Sequence, residues 1–289
     1  MSEPIIQCVP NFSEGRRPEV VQAIVGAVSA TPGVRLVDWS SDTDHNRMVV
    51  TFVGPPAPVA AAAKAAAGAA VRHISLTEHH GVHPRLGAID VLPFVPIKNI
   101  TMEECARLAT QLGAEIAEDL QLPVFLYEFA STGRRALPDV RRGAFSEITP
   151  DYGPSSPHPT AGAVVVGARG PLIAYNVNLS TPDIRAAKTI ARELRADGAA
   201  GFVGVRALGL ALESRGLSQV SINVVHPESV SLYALFSYIA RRAEELGTKA
   251  VESEVIGALP GFSAYGLIRD AIAATRIKPG QVLWENWPT

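Results

Sequence analysis

The chain has 289 residues, is 47% hydrophobic and sets 26 Lys and Arg against 28 Asp and Glu. That supports one large domain or two ordinary ones and excludes global disorder; the slightly acidic balance, without lysine-rich tails or basic–aromatic interleaving, excludes non-specific binding to nucleic acid or anionic membrane. Cys8 and Cys105 are too isolated for a disulfide framework or cysteine zinc site, no apolar run approaches the roughly 20 residues of a bilayer span, and the first four residues lack a signal-peptide pattern, so a cytoplasmic location is expected.

Apolar runs rich in Val and Ile alternate with segments of helical period, the mark of α/β or α+β layering. The first half predicts a strand over 5–9, a helix over 18–30, strands over 34–39 and 48–53, and a helix over 58–73. That last helix is almost all alanine, which suits burial on more than one side. A strand over 89–93, a helix over 102–120 capped by Thr101 with Glu103 and Glu104 in its first turn, and a strand over 124–127 follow. Residues 128–161 break the periodicity, and a connection that long is a binding loop or a linker. The second half predicts strands over 163–166 and 172–177, a helix over 182–196 behind Thr181, strands over 203–210 and 220–225, a helix over 229–246 and a strand over 250–256. The order β-α-β-β-α-β thus recurs. The expected fold is α/β (α+β), with two ferredoxin-like βαββαβ subdomains, 1–165 and 166–289, enclosing a ligand cleft.

The densest chemistry lies at 78–90, Glu-His-His-Gly-Val-His-Pro-Arg-Leu-Gly-Ala-Ile-Asp. Pro84 disfavours helix at His83, while Gly81 and Gly87 permit turns or close backbone approach on either side. A histidine held at such a bend takes and returns a proton near neutral pH. His79 and His83 stand four apart, as in a helical zinc pair, but Gly81 and Pro84 argue against a helix and no Glu follows His79. No metal is expected.

Asn11-Phe12-Ser13-Glu14-Gly15 either opens the first helix or contacts a ligand at a strand end. The hairpin connection at 38–47 holds Asp42, Asp44, Asn46 and Arg47 and lacks the glycine and terminal Glu of a calcium loop. A carboxylate there is suited to orienting a histidine, and Arg47 to holding a substrate carboxylate with its planar fork. In the long loop, Gly153, Pro154, Ser155, Ser156, His158, Thr160 and Gly162 combine stiffness with hydrogen-bonding groups, as one wall of a cleft would. Asn176, Asn178 and Asn223 fall within predicted strands, where asparagine is disfavoured unless its side chain has a task.

Taken together, Cys-Val-Pro-Asn-Phe-Ser-Glu-Gly at 8–15, Asp-His-Asn-Arg at 44–47, Thr-Phe-Val-Gly-Pro-Pro at 51–56, His-Pro-Arg-Leu-Gly-Ala-Ile-Asp at 83–90, Asp-Tyr-Gly-Pro-Ser-Ser at 151–156 and Gln-Val-Ser-Ile-Asn at 219–223 resemble the glutamate formimidoyltransferase family. The same domain forms the N-terminal part of bifunctional formimidoyltransferase-cyclodeaminases, whose cyclodeaminase half has no counterpart here. The resemblance implies transfer of the formimino group of N-formimino-L-glutamate to N5 of tetrahydrofolate, a co-substrate, in histidine breakdown and one-carbon metabolism. It also implies a homodimer with a folate tunnel between two α/β subdomains.

The resemblance places the family's catalytic histidine at His83 and its folate-contacting segments at 153–162 and 200–209, the latter including Val205 and Arg206. Two lysines of the animal form are Val203 and Gly204 here, and an acidic residue after the second strand is Ser40, with Asp42 and Asp44 as substitutes. On this reading His83 moves the proton, Asp42 or Asp44 orients it, Arg47 and Arg85 take the glutamate carboxylates, and Asn11, Ser13 and Asn46 line the site. Competing readings are formyl transfer or ATP-dependent cyclisation on 5-formyltetrahydrofolate, against which the missing nucleotide motif counts, and a folate-binding protein without turnover, against which an intact His83 counts.

Overall fold

The computed structural model describes residues 3–81, 85–195 and 197–271. Strand β1 (Ile5–Cys8) turns Ile6 and Cys8 into a core, and after Pro10 the chain resumes as β2 (Asn11–Phe12) with Phe12 fully buried. Helix α1 (Pro18–Ser29) leads to the hairpin of β3 (Arg35–Asp42) and β4 (Arg47–Gly54). Pairing reaches Asp42↔Arg47, so the strands are longer than the sequence predicts and only 43–46 remain as turn. The alanine-rich α2 (Pro56–His73) packs against α1, the sheet and α3 (Met102–Leu120), and its small side chains permit that approach on several sides: Ala62, Ala63, Ala66, Ala67, Ala69 and Ala70 are all buried. At the start of α3, Thr101 and Glu104 satisfy each other's backbone amides in a capping box, as the sequence predicts for Thr101.

Strand β5 (Ile89–Lys98) runs beyond the expected end and pairs antiparallel with β1 and β2, which in turn pair with β4. The order β3-β4-β1/β2-β5 is that of a split βαββαβ unit. Two more strands extend it: β7 (Val164–Ala168) lies parallel between β5 and β6 (Val124–Glu128). The strand expected to open the second half therefore belongs to the first sheet. All five of its residues are buried, as a parallel strand covered on both faces requires. The stretch expected to be irregular holds one short helix, α4 (Leu137–Gly143), which with 144–148 covers Val91, Phe125, Tyr127 and Val165 on one sheet face.

A second compact unit, 171–289, follows the first, 1–170. It contains β8 (Ile173–Leu179), α5 (Ile184–Leu194), β9 (Val205–Leu212), β10 (Leu217–Val224), α6 (Leu232–Glu245), β11 (Ala250–Ile256) and α7 (Gly261–Ala271). Its sheet, β11-β8-β10-β9, is antiparallel throughout and repeats the βαββαβ order. Val177, Leu179, Val220, Ile222 and Val224 form its core with α5 and α6. Asp183, not the expected Thr181, caps α5: its carboxylate accepts from the Arg185 amide at 2.9 Å, while Thr181 Oγ1 accepts from the Asp183 amide.

Cys8 and Cys105 are unpaired and buried; burial pushes both thiols up, Cys105 to about 11, so they act as small hydrophobes. No helix among the described residues is long and apolar enough to cross a membrane.

Candidate functional site

Between Asn11↔Val91 and Phe12↔Ile89 the register shifts by one residue, and the extra residue is Asp90. Such a bulge re-aims a side chain, and Asp90, fully buried, meets two guanidiniums. Arg47 Nη1 donates to Oδ2 at 2.8 Å, Arg141 Nη2 reaches the same oxygen, and Arg141 Nε lies 3.4 Å from Oδ1. The Leu86 amide donates to Oδ1 at 2.8 Å. Burial alone would raise this carboxyl, but the charges of Arg47 and Arg141, with the hydrogen bonds from Arg141 and Leu86, outweigh it and hold Asp90 at about 2. The rest of the Arg47 fork donates to Asn11 Oδ1 at 3.1 and 2.8 Å. Asn11 and Arg47, both expected at a ligand, are thus brought together, with Asn11 supporting the arginine.

Four segments knit around this carboxylate. Ser13 Oγ donates to Gly87 O at 2.8 Å and the Ser13 amide to Ala88 O at 2.9 Å. Asn46, in the left-handed region at φ 45°, accepts from the Gly15 amide at 2.9 Å through Oδ1 and donates to His80 O at 3.0 Å through Nδ2. Asparagine tolerates that backbone conformation better than most residues. Glu14, buried, accepts from the Arg16 and Arg17 amides and the Arg17 guanidinium, which overcome the upward pull of burial and lower its pKa.

Asp42 accepts from the His45 amide at 2.7 Å and faces His45 Nδ1 at 2.6 Å. Burial raises the Asp42 carboxyl, but these His45 contacts lower it further, so it stays anionic. Its carboxylate serves His45, a pairing the sequence reading did not anticipate. Asp44 lies on the same turn.

His79 is committed at both nitrogens. Nε2 lies 3.0 Å from Asn46 O and 2.7 Å from Arg85 Nη1, which also reaches Nδ1. Burial first, and then the Arg85 charge, lower its pKa, so the ring is neutral. Arg85 also donates to His45 O at 3.3 Å. His83 lies outside the described residues. Of its neighbours in the chain, Gly81 packs so closely on His45 O that an added Cβ would collide with it.

Gly87 and Gly162 form an antiparallel bridge: Ala88 N donates to Ala161 O at 2.9 Å and Ala163 N to Leu86 O at 3.2 Å. This brings the long loop to the 85–90 segment. His158 caps the loop's last turn, its Nδ1 accepting from the Ala161 amide at 3.0 Å and the Thr160 amide at 3.3 Å. Gly153, Ser155 and Ser156 are exposed and Pro154 is half-buried, so these parts of the loop remain accessible. A Cβ at Gly87 would collide with Ala163 O. Gly87→Ala is expected to open the bridge at a cost of about 1–3 kcal/mol, measured by urea unfolding, with wild-type secondary structure by circular dichroism.

In the second unit Asn176 and Asn178 share the sheet face opposite Val177 and Leu179, and register puts Gln219, Asn223 and Arg206 on that face too. Asn178 donates to Glu252 at 2.9 Å and accepts from Gln219 at 2.9 Å; Asn176 donates to Glu254 at 3.0 Å. Val205 is not with them: its side chain lies in the core.

Sequence reasoning missed Asp90 and Arg141 as site residues. A charged residue inside a predicted strand was the available signal for Asp90. Arg141 gave none, because its helix has only seven residues. Among the described residues no group of three His, Cys, Asp or Glu side chains is placed to hold a metal ion.

The formiminotransferase domain, N-terminal subdomain, matches residues 5–169, and the formiminotransferase domain matches residues 174–264. The chain is 44% identical over 267 residues to a glutamate formimidoyltransferase of Streptococcus pyogenes serotype M1, covering 89% of both chains. It is 38% identical to a glutamate formimidoyltransferase of Thermoplasma acidophilum, covering 89% of this chain and 88% of that one. Against the formimidoyltransferase-cyclodeaminase of Sus scrofa the identity is 42%, and the match spans 50% of that longer protein. The chain belongs to the formiminotransferase family.

Proposed function

We propose that the chain transfers the formimino group of N-formimino-L-glutamate to N5 of tetrahydrofolate, giving 5-formiminotetrahydrofolate and L-glutamate. The observation that carries this reading is the 44% identity with the streptococcal glutamate formimidoyltransferase over 89% of both chains. In the reaction N5 attacks the amidine carbon, a C–N5 bond forms, and a tetrahedral intermediate results. Collapse breaks the bond from carbon to the glutamate nitrogen, so the proton lost from N5 must reach that nitrogen. His83 does both, taking the first proton as base and returning it as acid. Asp42, anionic and bound to His45, and Asp44 on the same turn supply negative charge that stabilises the imidazolium.

Arg47 and Arg85 bind the carboxylates of the donor, and Ser13 and Asn46 hold the segments that carry them. Tetrahydrofolate is met in the first unit by Gly153, Pro154, Ser155, Ser156, His158, Thr160 and Gly162. Within the second unit, Asn176, Asn178, Asn223 and Arg206 on one sheet face, and the backbone of Val205, are further candidates for substrate contact. The protein acts in the cytoplasm as a homodimer, within histidine degradation.

A donor panel tests the reading: formiminoglutamate, formylglutamate, and 5-formyltetrahydrofolate with ATP, each assayed by absorbance for a change in the folate product. Turnover with formiminoglutamate alone is expected. Turnover only with a formyl donor, or only with ATP, would replace formimino transfer by the corresponding alternative.

A further inference from the structure

Two guanidiniums, Arg47 and Arg141, converge on one oxygen of Asp90. Their side chains are 13% and 17% exposed, and the carboxylate is fully buried. Two positive charges thus share one negative charge where water is largely excluded. The other partner of Arg47, Asn11, is a neutral amide. Asp90 is the carboxylate whose charge acts on Arg47, and Arg141 opposes it; Arg85 is repelled by Arg47 in turn. Arg141 uses Nε and Nη2 on Asp90, while its Nη1 has no hydrogen-bond partner among the described residues. An uncompensated charge in such a place is costly, and an anionic ligand removes the cost.

We propose that Arg141, together with Arg47, forms a carboxylate subsite for the acidic donor substrate: Asp90 fixes one edge of Arg141, Asp90 and Asn11 fix Arg47, and the N–H groups left over, those of Arg141 Nη1 first, receive one ligand carboxylate. This rests on the formimino-transfer reading and adds to it Arg141, from an element the sequence did not predict. A planar carboxylate fits the fork of an arginine in two-point fashion, which a lysine at the same place does not reproduce. Asp90 is a positioning residue here: it sets the angle between the forks and touches no substrate.

The test compares Arg141→Gln, Arg141→Lys and, as a surface control, Arg142→Gln, whose side chain is 73% exposed. Donor and folate KM are measured by steady-state kinetics, and affinity for glutarate, a dicarboxylate lacking the reacting group, by calorimetry. Arg141→Gln is expected to raise the donor KM and weaken glutarate about 10- to 100-fold, the range for losing a charge-assisted pair, with folate KM within twofold. Arg141→Lys falls between it and wild type, Arg142→Gln matches wild type, and the uncharged glutaramide does not bind.

Unchanged donor KM and glutarate affinity in Arg141→Gln overturns the subsite. If that variant fails to fold, Arg141→Lys at wild-type melting temperature decides: weaker glutarate supports the subsite and unchanged glutarate overturns it. Glutarate bound no better than inorganic phosphate overturns the carboxylate assignment. Glutarate binding that depends on Arg141 in a protein with no formimino transfer would leave the subsite standing and remove the activity reading; full transfer indifferent to Arg141 would do the reverse.

Discussion

His83→Ala is expected to lower kcat/KM by two to four powers of ten, about 3–5 kcal/mol of transition-state stabilisation, while tetrahydrofolate affinity stays within twofold. The expectation follows from the reaction. One proton must leave the entering nitrogen and one must reach the departing nitrogen, and without a group titrating near neutrality both transfers fall to water. His79 does not compete for the role, because Asn46 O and Arg85 occupy its two nitrogens and burial with the Arg85 charge opposes its taking up a proton. The rival is His45, held by Asp42. The pair of variants separates them: His83→Ala should abolish the acidic limb of the kcat/KM profile, and His45→Ala should keep it. If His83→Ala retains activity within tenfold and His45→Ala loses it, the proton carrier is the Asp42–His45 pair and the assignment to His83 fails.

What the sequence discloses is mostly local or periodic. The capping box at Thr101 and Glu104 is written in four residues, the burial of α2 in its run of alanines, and the close approaches at Gly81 and Gly87 in the absence of a Cβ. The repeated βαββαβ order could be read because each element is long enough to show its period. Sheet membership could not: 163–166 is an apolar run that reads the same whether it opens a second sheet or inserts between β5 and β6, and only non-local pairing decides. α4 is too short for helical periodicity to emerge.

The site divides along the same line. Asn11, Ser13, Asn46, Arg47 and Arg85 stood out because polar residues cluster around strand ends, and in the structure each is held by hydrogen bonds between the segments 11–15, 45–47 and 79–90. Their detailed use differed from expectation, since Arg47 is held by Asp90 and Asn11 before any ligand arrives. His158 was legible as a polar residue in a stiff loop but not as the acceptor of two amides, which requires the turn to be closed first.

Asp90→Ala is expected to cost about 3–5 kcal/mol, the range for removing one partner of a buried ion pair and stranding the others. Two arginines would lose their carboxylate and the Leu86 amide its acceptor, so the effect is a large fraction of the about 5–15 kcal/mol that holds a domain together. Asp90→Asn keeps the shape and an acceptor but not the charge, and isolates the electrostatic part by its pH dependence. The folded-state value of about 2 lies below the ordinary 3.8, so the unfolded chain takes up the proton first as acid is added. This stabilisation is therefore complete above about pH 5, declines as pH falls through 4, and is gone below 2. It amounts to on the order of 2 kcal/mol, from the linkage between pKa shift and stability. Glu14 and Asp42, also lowered, add to the acid sensitivity of the wild type, but they are common to both proteins and cancel in the comparison. Urea unfolding of wild type and Asp90→Asn at pH 7, 5, 4, 3 and 2.5 should show a gap constant at the two higher values and shrinking at the three lower ones. A gap that holds steady down to pH 2.5 would mean that Asp90 contributes shape and not charge, and the carboxylate subsite built on its two arginines would lose its electrostatic basis.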